Sequence, residues 1–556
     1  MKKFINHAED VVEEMLQGMV VLYPACARLP GHKVLIRADA AAARERQVAL
    51  ISGGGSGHEP AHAGYLGQGM LSAAVAGEVF TSPSTDSVFA AIQAVSGTPG
   101  SLLVVKNYTG DRLNFGLAAE MSRAQGIPVQ MLLVDDDVAL SGATHATGAR
   151  GLAGTVFVHK LLGAAAAEGR SLADLATIGR EVVASLGTMG VSFSAGTSPA
   201  VGKPGFELGE HEMELGLGIH GEPGVARTEL QSADTLTETL LTRILEHRKF
   251  SHAVAVLINN LGATTAMELA IVARHAVEFL HDKGILVQRI YAGTFLSSLD
   301  MAGISISVLG LNEERLRWLD ASTTAPAWPN LMRQPPGKPS SLTETEKVTQ
   351  RPTGSVKPTE AAIRLERAIE SACQALILAE DELTELDRIT GDGDLGSAMA
   401  RAGRAVQEAV HSYPLNDTAA TLKALAHTLG RELGGSSGPL YGVLFLRCGA
   451  ALEGQSWGQA LQQGCQAISE LGGAKPGDRT MLDALDPFVN QLIRAPEAIF
   501  AAVEAAEQGV QATARMTPRL GRSSYLGDRV LGHVDPGAKA VSIWLRAACE
   551  SLFPNR

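Results

Sequence analysis

Three carboxylates fall within eight residues in Asp387-Arg388-Ile389-Thr390-Gly391-Asp392-Gly393-Asp394-Leu395-Gly396. Carboxylates gathered on one turn repel unless a cation neutralises them. Mg2+ suits such a set, because it takes oxygen ligands and completes its shell with water and phosphate oxygens. The string is therefore a Mg2+ loop or a solvated acidic turn. It also satisfies Gly-x-Gly-x-x-Gly at Gly391, Gly393 and Gly396. A dinucleotide fingerprint, however, follows a strand and would set its pyrophosphate against Asp392 and Asp394, whereas the segment ahead of this one is helical and polar. That reading is rejected. No Gly-x-x-x-x-Gly-Lys-Ser/Thr occurs, so nucleotide phosphates would have to be held by something other than a P-loop.

Two further strings fit phosphate contact or simple turn chemistry. Gly434-Gly435-Ser436-Ser437-Gly438-Pro439 offers N–H groups and hydroxyls between helical patterns, as an anion site or a helix–helix turn would. Gly477-Asp478-Arg479-Thr480-Met481 either caps a helix or lines a nucleotide pocket. Nearer the N-terminus, Ser52-Gly53-Gly54-Gly55-Ser56-Gly57-His58 and Lys106-Asn107-Tyr108-Thr109-Gly110-Asp111 each follow a β-type run, at the sheet edge where open α/β folds bind ligands. His58 and Asp111 there are an acid–base pair or loop-stabilising groups. His220, in Gly218-Ile219-His220-Gly221-Glu222-Pro223-Gly224, is an accessible imidazole nucleophile or a structural histidine. His159 and His275 lie within helical patterns and read as structural. His211-Glu212-Met213-Glu214 is not the zincin motif.

The elements that must position these residues change character along the chain. Val48–Ser52, Leu102–Val105, Val129–Val134 and Val254–Ile258 are β-type runs closed by Gly- or Asp-rich turns. Helical patterns follow them, as over 264–283, where Leu269, Val272, Ala273, Ala276 and Leu280 share a face. This α/β region is expected over 1–330, with a subdomain split near 188–199. A segment rich in Pro, from Pro326 to Pro358, sets the linker at 331–359. From 360 to 556 the pattern is helical, as at Ala362, Leu365, Ile369, Cys373 and Leu376.

A chain of 556 residues is too long for one core. A net charge of −12 without a Lys/Arg cluster gives no footprint for nucleic acid or an anionic membrane, leaving small molecules as partners. Five scattered cysteines suggest neither a disulfide framework nor a zinc site, and the acidic residues after Lys2 and Lys3 break any signal-peptide pattern. No apolar run is long enough to span a membrane, so a cytoplasmic protein is expected.

Taken together, the strings resemble the dihydroxyacetone kinase family in order and over nearly the whole chain. They are GGGSGHEPAHAGYLGQGM (53–70), KNYTGDRLNF (106–115), GIHGEPG (218–224), GDGDLG (391–396), GGSSGPLYG (434–442), GDRTMLDAL (477–485), GRSSYLGDR (521–529) and GHVDPGA (532–538). The resemblance implies a multidomain chain, with an N-terminal α/β substrate domain of two subdomains and a C-terminal all-α antiparallel helical barrel holding ATP. It implies that His220 holds the triose as a hemiaminal, that His58 and Asp111 act as acid and base, and that Gly53, Ser82 and Lys106 contact the triose. It further implies that Asp387, Asp392 and Asp394 hold two Mg2+, and that Gly434, Gly435, Ser436, Ser437, Thr480 and Met481 bind nucleotide. Many relatives have His where Leu395 stands, which bears on nucleotide contact. Fusion of both domains without a histidine-phosphorylated module resembles the ATP-exchanging type, and the substrate domain of the family implies a homodimer. The alternatives are cyclising FAD-AMP lyase activity at the nucleotide site and a non-catalytic triose-sensing coregulator.

Overall fold

Runs of aliphatic residues become buried strands wherever the chain can cover both of their faces, and the N-terminal half does so twice. The computed structural model describes residues 3–554 apart from 141–147, 223, 251, 331–334, 336–356, 392, 435 and 521. It divides into two compact units, Met1–Ser341 and Leu342–Arg556. Most of the expected Pro-rich linker lies outside the described residues.

The first sheet contains β1 (Cys26–Arg28), β2 (Val34–Arg37), β3 (Ala49–Ser56), β4 (Ala73–Val79), β5 (Ser101–Lys106) and β6 (Val129–Val134). Their order is β1-β2-β4-β3-β5-β6, with β4, β3, β5 and β6 parallel. The chain passes from β3 to β4 on one side and then to β5 on the other, so the carboxyl ends of β3 and β5 flank a topological switch point. The second sheet contains β7 (Leu186–Ser192), β8 (Glu212–Leu215), β9 (Ala226–Glu229), β10 (Ala253–Asn260), β11 (Leu286–Gly293) and β12 (Gly303–Gly310), in the order β11-β10-β12-β7-β8-β9. Of the Gly/Ser/Thr-rich stretch at 188–199, the part up to Ser192 is strand β7, and only the remainder is connection. The helix Ala266–Asp282 buries Leu269, Val272, Ala276 and Leu280, and a capping box of Thr265 and Glu268 fixes its start.

The C-terminal unit is helical. Glu360–Leu378, Leu395–Ala409, Thr418–Glu432, Ser437–Ala451, Trp457–Gly472, Leu482–Arg494, Ile499–Thr513 and Pro536–Leu552 each pack on the next, and the last packs on the first. They form a closed barrel around an apolar cavity of about 690 Å3, whose wall includes Ile369, Met399, Leu425, Phe488 and Leu545. No helix among the described residues is long and apolar enough to cross a membrane.

Candidate functional site

β3 runs on to Ser56, so the glycines after Ser52 are strand rather than loop. Close approach requires them: a Cβ on Gly53 would sit 2.2 Å from the Val75 carbonyl oxygen, and one on Gly55 2.6 Å from the Thr81 nitrogen. His58 follows the strand and is fully buried. Its Nδ1 lies 2.8 Å from the Ser297 carbonyl, which can only accept, so the ring proton sits on Nδ1 and Nε2 carries a lone pair. That Nε2 has no partner among the described residues. Burial, aided by the charges of His220 and Lys106, holds the imidazole well below its usual pKa and keeps it neutral. Phe80, in the left-handed backbone region at φ 58°, stacks on this ring at 5.2 Å.

His220 arrives from the other sheet, on the loop between β8 and β9. Ser298 Oγ ties this loop down by donating to the Ile219 carbonyl at 2.5 Å. The His220 ring meets His58 edge-on at 4.9 Å and Tyr108 at 4.7 Å, so imidazoles from two sheets share one aromatic box. Glu222 accepts from His220 Nδ1 at 2.7 Å and from its backbone N–H at 3.0 Å. Burial works to raise the Glu222 carboxyl, but the ring hydrogen bond, the ring charge and the backbone N–H groups outweigh it and hold the pKa at about 2. The carboxylate therefore fixes the proton on Nδ1 and leaves Nε2 of His220 as the nucleophilic nitrogen. The string GIHGEPG contained Glu222, but its role becomes visible only when both hydrogen bonds are seen.

Glu222→Gln replaces one acceptor oxygen with an amide that cannot serve both the ring and the backbone N–H. We expect the variant to fold and to lose at least about tenfold in carbonyl capture by His220, read by intact-protein mass after substrate addition. Undiminished capture would leave Glu222 with a loop-holding role only.

Lys106 ends β5, and Asp111 lies in the first turn of the helix Thr109–Ala124; both are buried. Ser82 Oγ donates a short hydrogen bond to Asp111 Oδ1. A Cβ on Gly54 would lie 2.6 Å from Lys106 Nζ and 3.5 Å from Asp111 Oδ2, which places ammonium and carboxylate at one point beside β3. Gly53 lies one residue earlier, against β4.

In the second unit, the Gly391–Gly396 string joins the helix Glu380–Thr390 to the helix Leu395–Ala409, so it follows no strand and the rejected dinucleotide reading has no structural basis. Asp387 Oδ2 accepts from the N–H groups of Asp394 (3.0 Å) and Leu395 (3.1 Å), a carboxylate placed against a helix N-terminus. Leu395 thus holds the loop through its backbone, while its side chain packs partly buried against the barrel core. The Asp394 carboxylate is exposed and has neither a cation nor a hydrogen-bond donor among the described residues. Asp392 lies outside the described residues, as does Gly435. The exposed Asp394 carboxylate, with Asp387 in the last turn of the preceding helix, is an oxygen donor set that fits a hard divalent cation.

Ser436 and Ser437 open the helix Ser437–Ala451, and the Ser436 hydroxyl makes no capping bond, which leaves hydroxyls and N–H groups where an anion could bind. In the other Gly-rich turn, Asp483 accepts from Gly477 N–H (2.5 Å) and Thr480 N–H (2.7 Å). The Thr480 hydroxyl accepts from Leu482 N–H at 3.3 Å, and Met481 is buried in the barrel core. Arg479, which composition could not single out, is 1% exposed; it donates to the His533 carbonyl, its Nη1 lies 3.9 Å from an Asp535 carboxylate oxygen, and Nε and Nη1 make no hydrogen bond among the described residues.

Comparison with known proteins covers the whole chain. A Dak1 domain matches residues 17–327 and a DAK2 domain matches residues 389–550. The triokinase/FMN cyclase of Homo sapiens is 41% identical, over 99% of each chain. The dihydroxyacetone kinase of Citrobacter freundii is 36% identical, also over 99% of each. The crystal structure of the C. freundii kinase with AMP-PNP and Mg2+ aligns at a TM-score of 0.64 and 35% identity, over 99% of both chains. A dihydroxyacetone kinase operon co-activator aligns at a TM-score of 0.54 and 34% identity, over 57% of this chain and 98% of its own.

Proposed function

The chain belongs to the dihydroxyacetone kinase family, and from that premise we propose that it is an ATP-dependent kinase of dihydroxyacetone and glyceraldehyde that holds its substrate covalently on His220. The carrying observation is the Glu222–His220 pair, which frees Nε2 in an aromatic box where two sheets meet. As Nε2 bonds to the carbonyl carbon, the C=O π pair moves to oxygen; the ring gives up its Nδ1 proton by way of Glu222 to solvent and the oxygen takes one proton from solvent, so that none is gained or lost overall. The product is a neutral hemiaminal. Glycerol has no carbonyl carbon and is excluded by this step.

His58 presents a lone pair at Nε2, so its part is to accept a hydrogen bond or proton from a triose hydroxyl. Asp111, steadied by Ser82, takes the proton of the terminal hydroxyl as that oxygen attacks the γ-phosphorus; Lys106 supplies positive charge beside it, and Gly53 lies within reach of the triose. Asp387 and Asp394, with Asp392, would hold Mg2+, two ions per site, which when bound neutralises charge on the ATP phosphates. Gly434, Gly435, Ser436 and Ser437 would contact phosphate, and Thr480 and Met481 would line the nucleotide site. The five buried free thiols suit a reducing compartment, and a cytoplasmic homodimer completes the proposal.

ADP release measured over dihydroxyacetone, glyceraldehyde, glycerol and FAD tests this reading. Release with both trioses and none with glycerol is the expected result; release with glycerol would overturn carbonyl selection. The human relative carries the double name triokinase/FMN cyclase, so FAD turnover tests the second reading, cyclising lyase activity at the same nucleotide site. The co-activator aligns with little more than half of this chain, and the aspartate loop carried here argues against a sensor without catalysis.

A further inference from the structure

Behind the site lies a line of three buried groups, of which the proposed mechanism uses only the first. Lys106 Nζ is 2.9 Å from His62 Nε2, and His62 Nδ1 is 3.0 Å from His159 Nε2. We propose that His62 is a positioning residue for triose phosphorylation, a neutral imidazole that accepts one N–H of Lys106 and, braced by His159, sets the direction of the ammonium. This rests on the kinase reading above and gives a role to two histidines that the reading leaves idle.

Proton counting fixes the polarity of the line. An ammonium donates three hydrogen bonds and accepts none, so its partner Nε2 must carry the lone pair and His62 its proton on Nδ1. That proton faces Nε2 of His159, which must then accept. The His159 proton is left on Nδ1, a buried atom with no partner among the described residues, and the line ends there. Ser52 Oγ spends its hydrogen on the Val104 carbonyl and can only accept from His62 Nδ1, and at 3.5 Å it is a weaker acceptor than His159 Nε2 at 3.0 Å. Burial, followed by the nearby Lys106 charge, keeps both imidazoles neutral: His62 lies well below its usual range and His159 at about 3.

A neutral partner matters for what Lys106 can do. A carboxylate in the place of His62 would form an ion pair that cancels the charge and draws the ammonium inwards. An imidazole satisfies one donor, spares the buried cation the cost of an unmade bond, and leaves the positive charge and two donors. The meeting point is specific: a Cβ on Gly54 would lie 2.6 Å from Lys106 Nζ, 3.5 Å from Asp111 Oδ2 and 3.8 Å from His62 Nε2. The same point thus joins the proposed base, the cation and the imidazole that orients it.

Two measurements on the full chain test the proposal. In the ligand-free protein, 15N spectra of labelled histidine should show a lone pair at Nε2 of His62, with a resonance that shifts in Lys106→Met. A proton on that nitrogen would reverse the line and overturn the inference. In steady state, His62→Leu should lower kcat/KM for dihydroxyacetone by about 10- to 100-fold, the loss of one hydrogen bond to a charged group, with KM for Mg-ATP unchanged. His62→Gln, whose amide oxygen can accept, should return activity to within about fivefold of wild type. Equal losses in Leu and Gln variants, or an equal shift in KM for Mg-ATP, would mean that His62 only fills space. If His62→Leu does not fold, the wild-type tautomer and the Gln variant still decide. Failure of the kinase reading shows separately, as a wild-type chain that phosphorylates no triose whatever the tautomer of His62.

Discussion

His220→Ala is expected to abolish triose phosphorylation, by about 10^3-fold or more, while the protein stays folded. The loss is large because one nitrogen supplies both the covalent anchor and the carbonyl selectivity, and no other described side chain of the aromatic box can replace it. His58 Nε2 also carries a lone pair, but its ring is fully buried and held by Ser297, whereas His220 is half-buried in a loop. Folding should survive because the Glu222 carboxylate keeps its bond from the backbone N–H of residue 220, and Ser298 still pins the loop at Ile219. ADP release, circular dichroism and intact mass after triose addition together check this. Retained turnover, or triose found attached at another residue, would overturn the assignment.

Asp394→Ala should eliminate Mg2+-dependent binding of ATP with little cost in stability, within about 0.5 kcal/mol. Its carboxylate is exposed and makes no capping bond to the helix that it precedes, so the fold does not depend on it. Asp387→Ala should lose the same binding and also destabilise the C-terminal unit by about 1–3 kcal/mol, because Asp387 Oδ2 holds two backbone N–H groups at the helix start. Asp392→Ala is expected to follow Asp394→Ala. Triose capture on His220 should persist in all three, since that residue belongs to the other compact unit. Calorimetry with ATP and Mg2+ separates the cases, and unchanged affinity in Asp394→Ala would reduce the loop to an acidic turn.

The residues that the sequence exposes are those whose surroundings are local. The strand runs at Val129–Val134 and Leu102–Val105, the face of the helix Ala266–Asp282 and the helix–turn–helix setting of the aspartates all follow from spacing alone. Gly53–Ser56 look like loop, because glycine is ordinarily a poor strand former; only the approach of Val75 and Thr81 explains why they continue β3. His159 was hidden for a related reason. The helix Thr155–Ala167 is buried on nearly every side, so a histidine within it carries no amphipathic signal, and its partner His62 lies 97 positions away. Arg479 was equally opaque, since a buried guanidinium in left-handed backbone is defined by what surrounds it and not by its neighbours in the chain.

Where His58 finds its acceptor also sets when the site can come into being. The bond to the Ser297 carbonyl closes a loop of 239 residues, and His220 reaches the same box from a hairpin of the second sheet. Contacts of such sequence separation carry the largest loop-closure entropy and are made after local helices and hairpins have formed. A nascent chain that has not yet reached residue 297 holds the glycine strand, the lysine and the aspartate, but lacks the carbonyl that selects the His58 tautomer. Full chemical competence is thus acquired late in folding: Glu222 lies beside His220 in the incomplete chain, but nothing there sets the proton of His58.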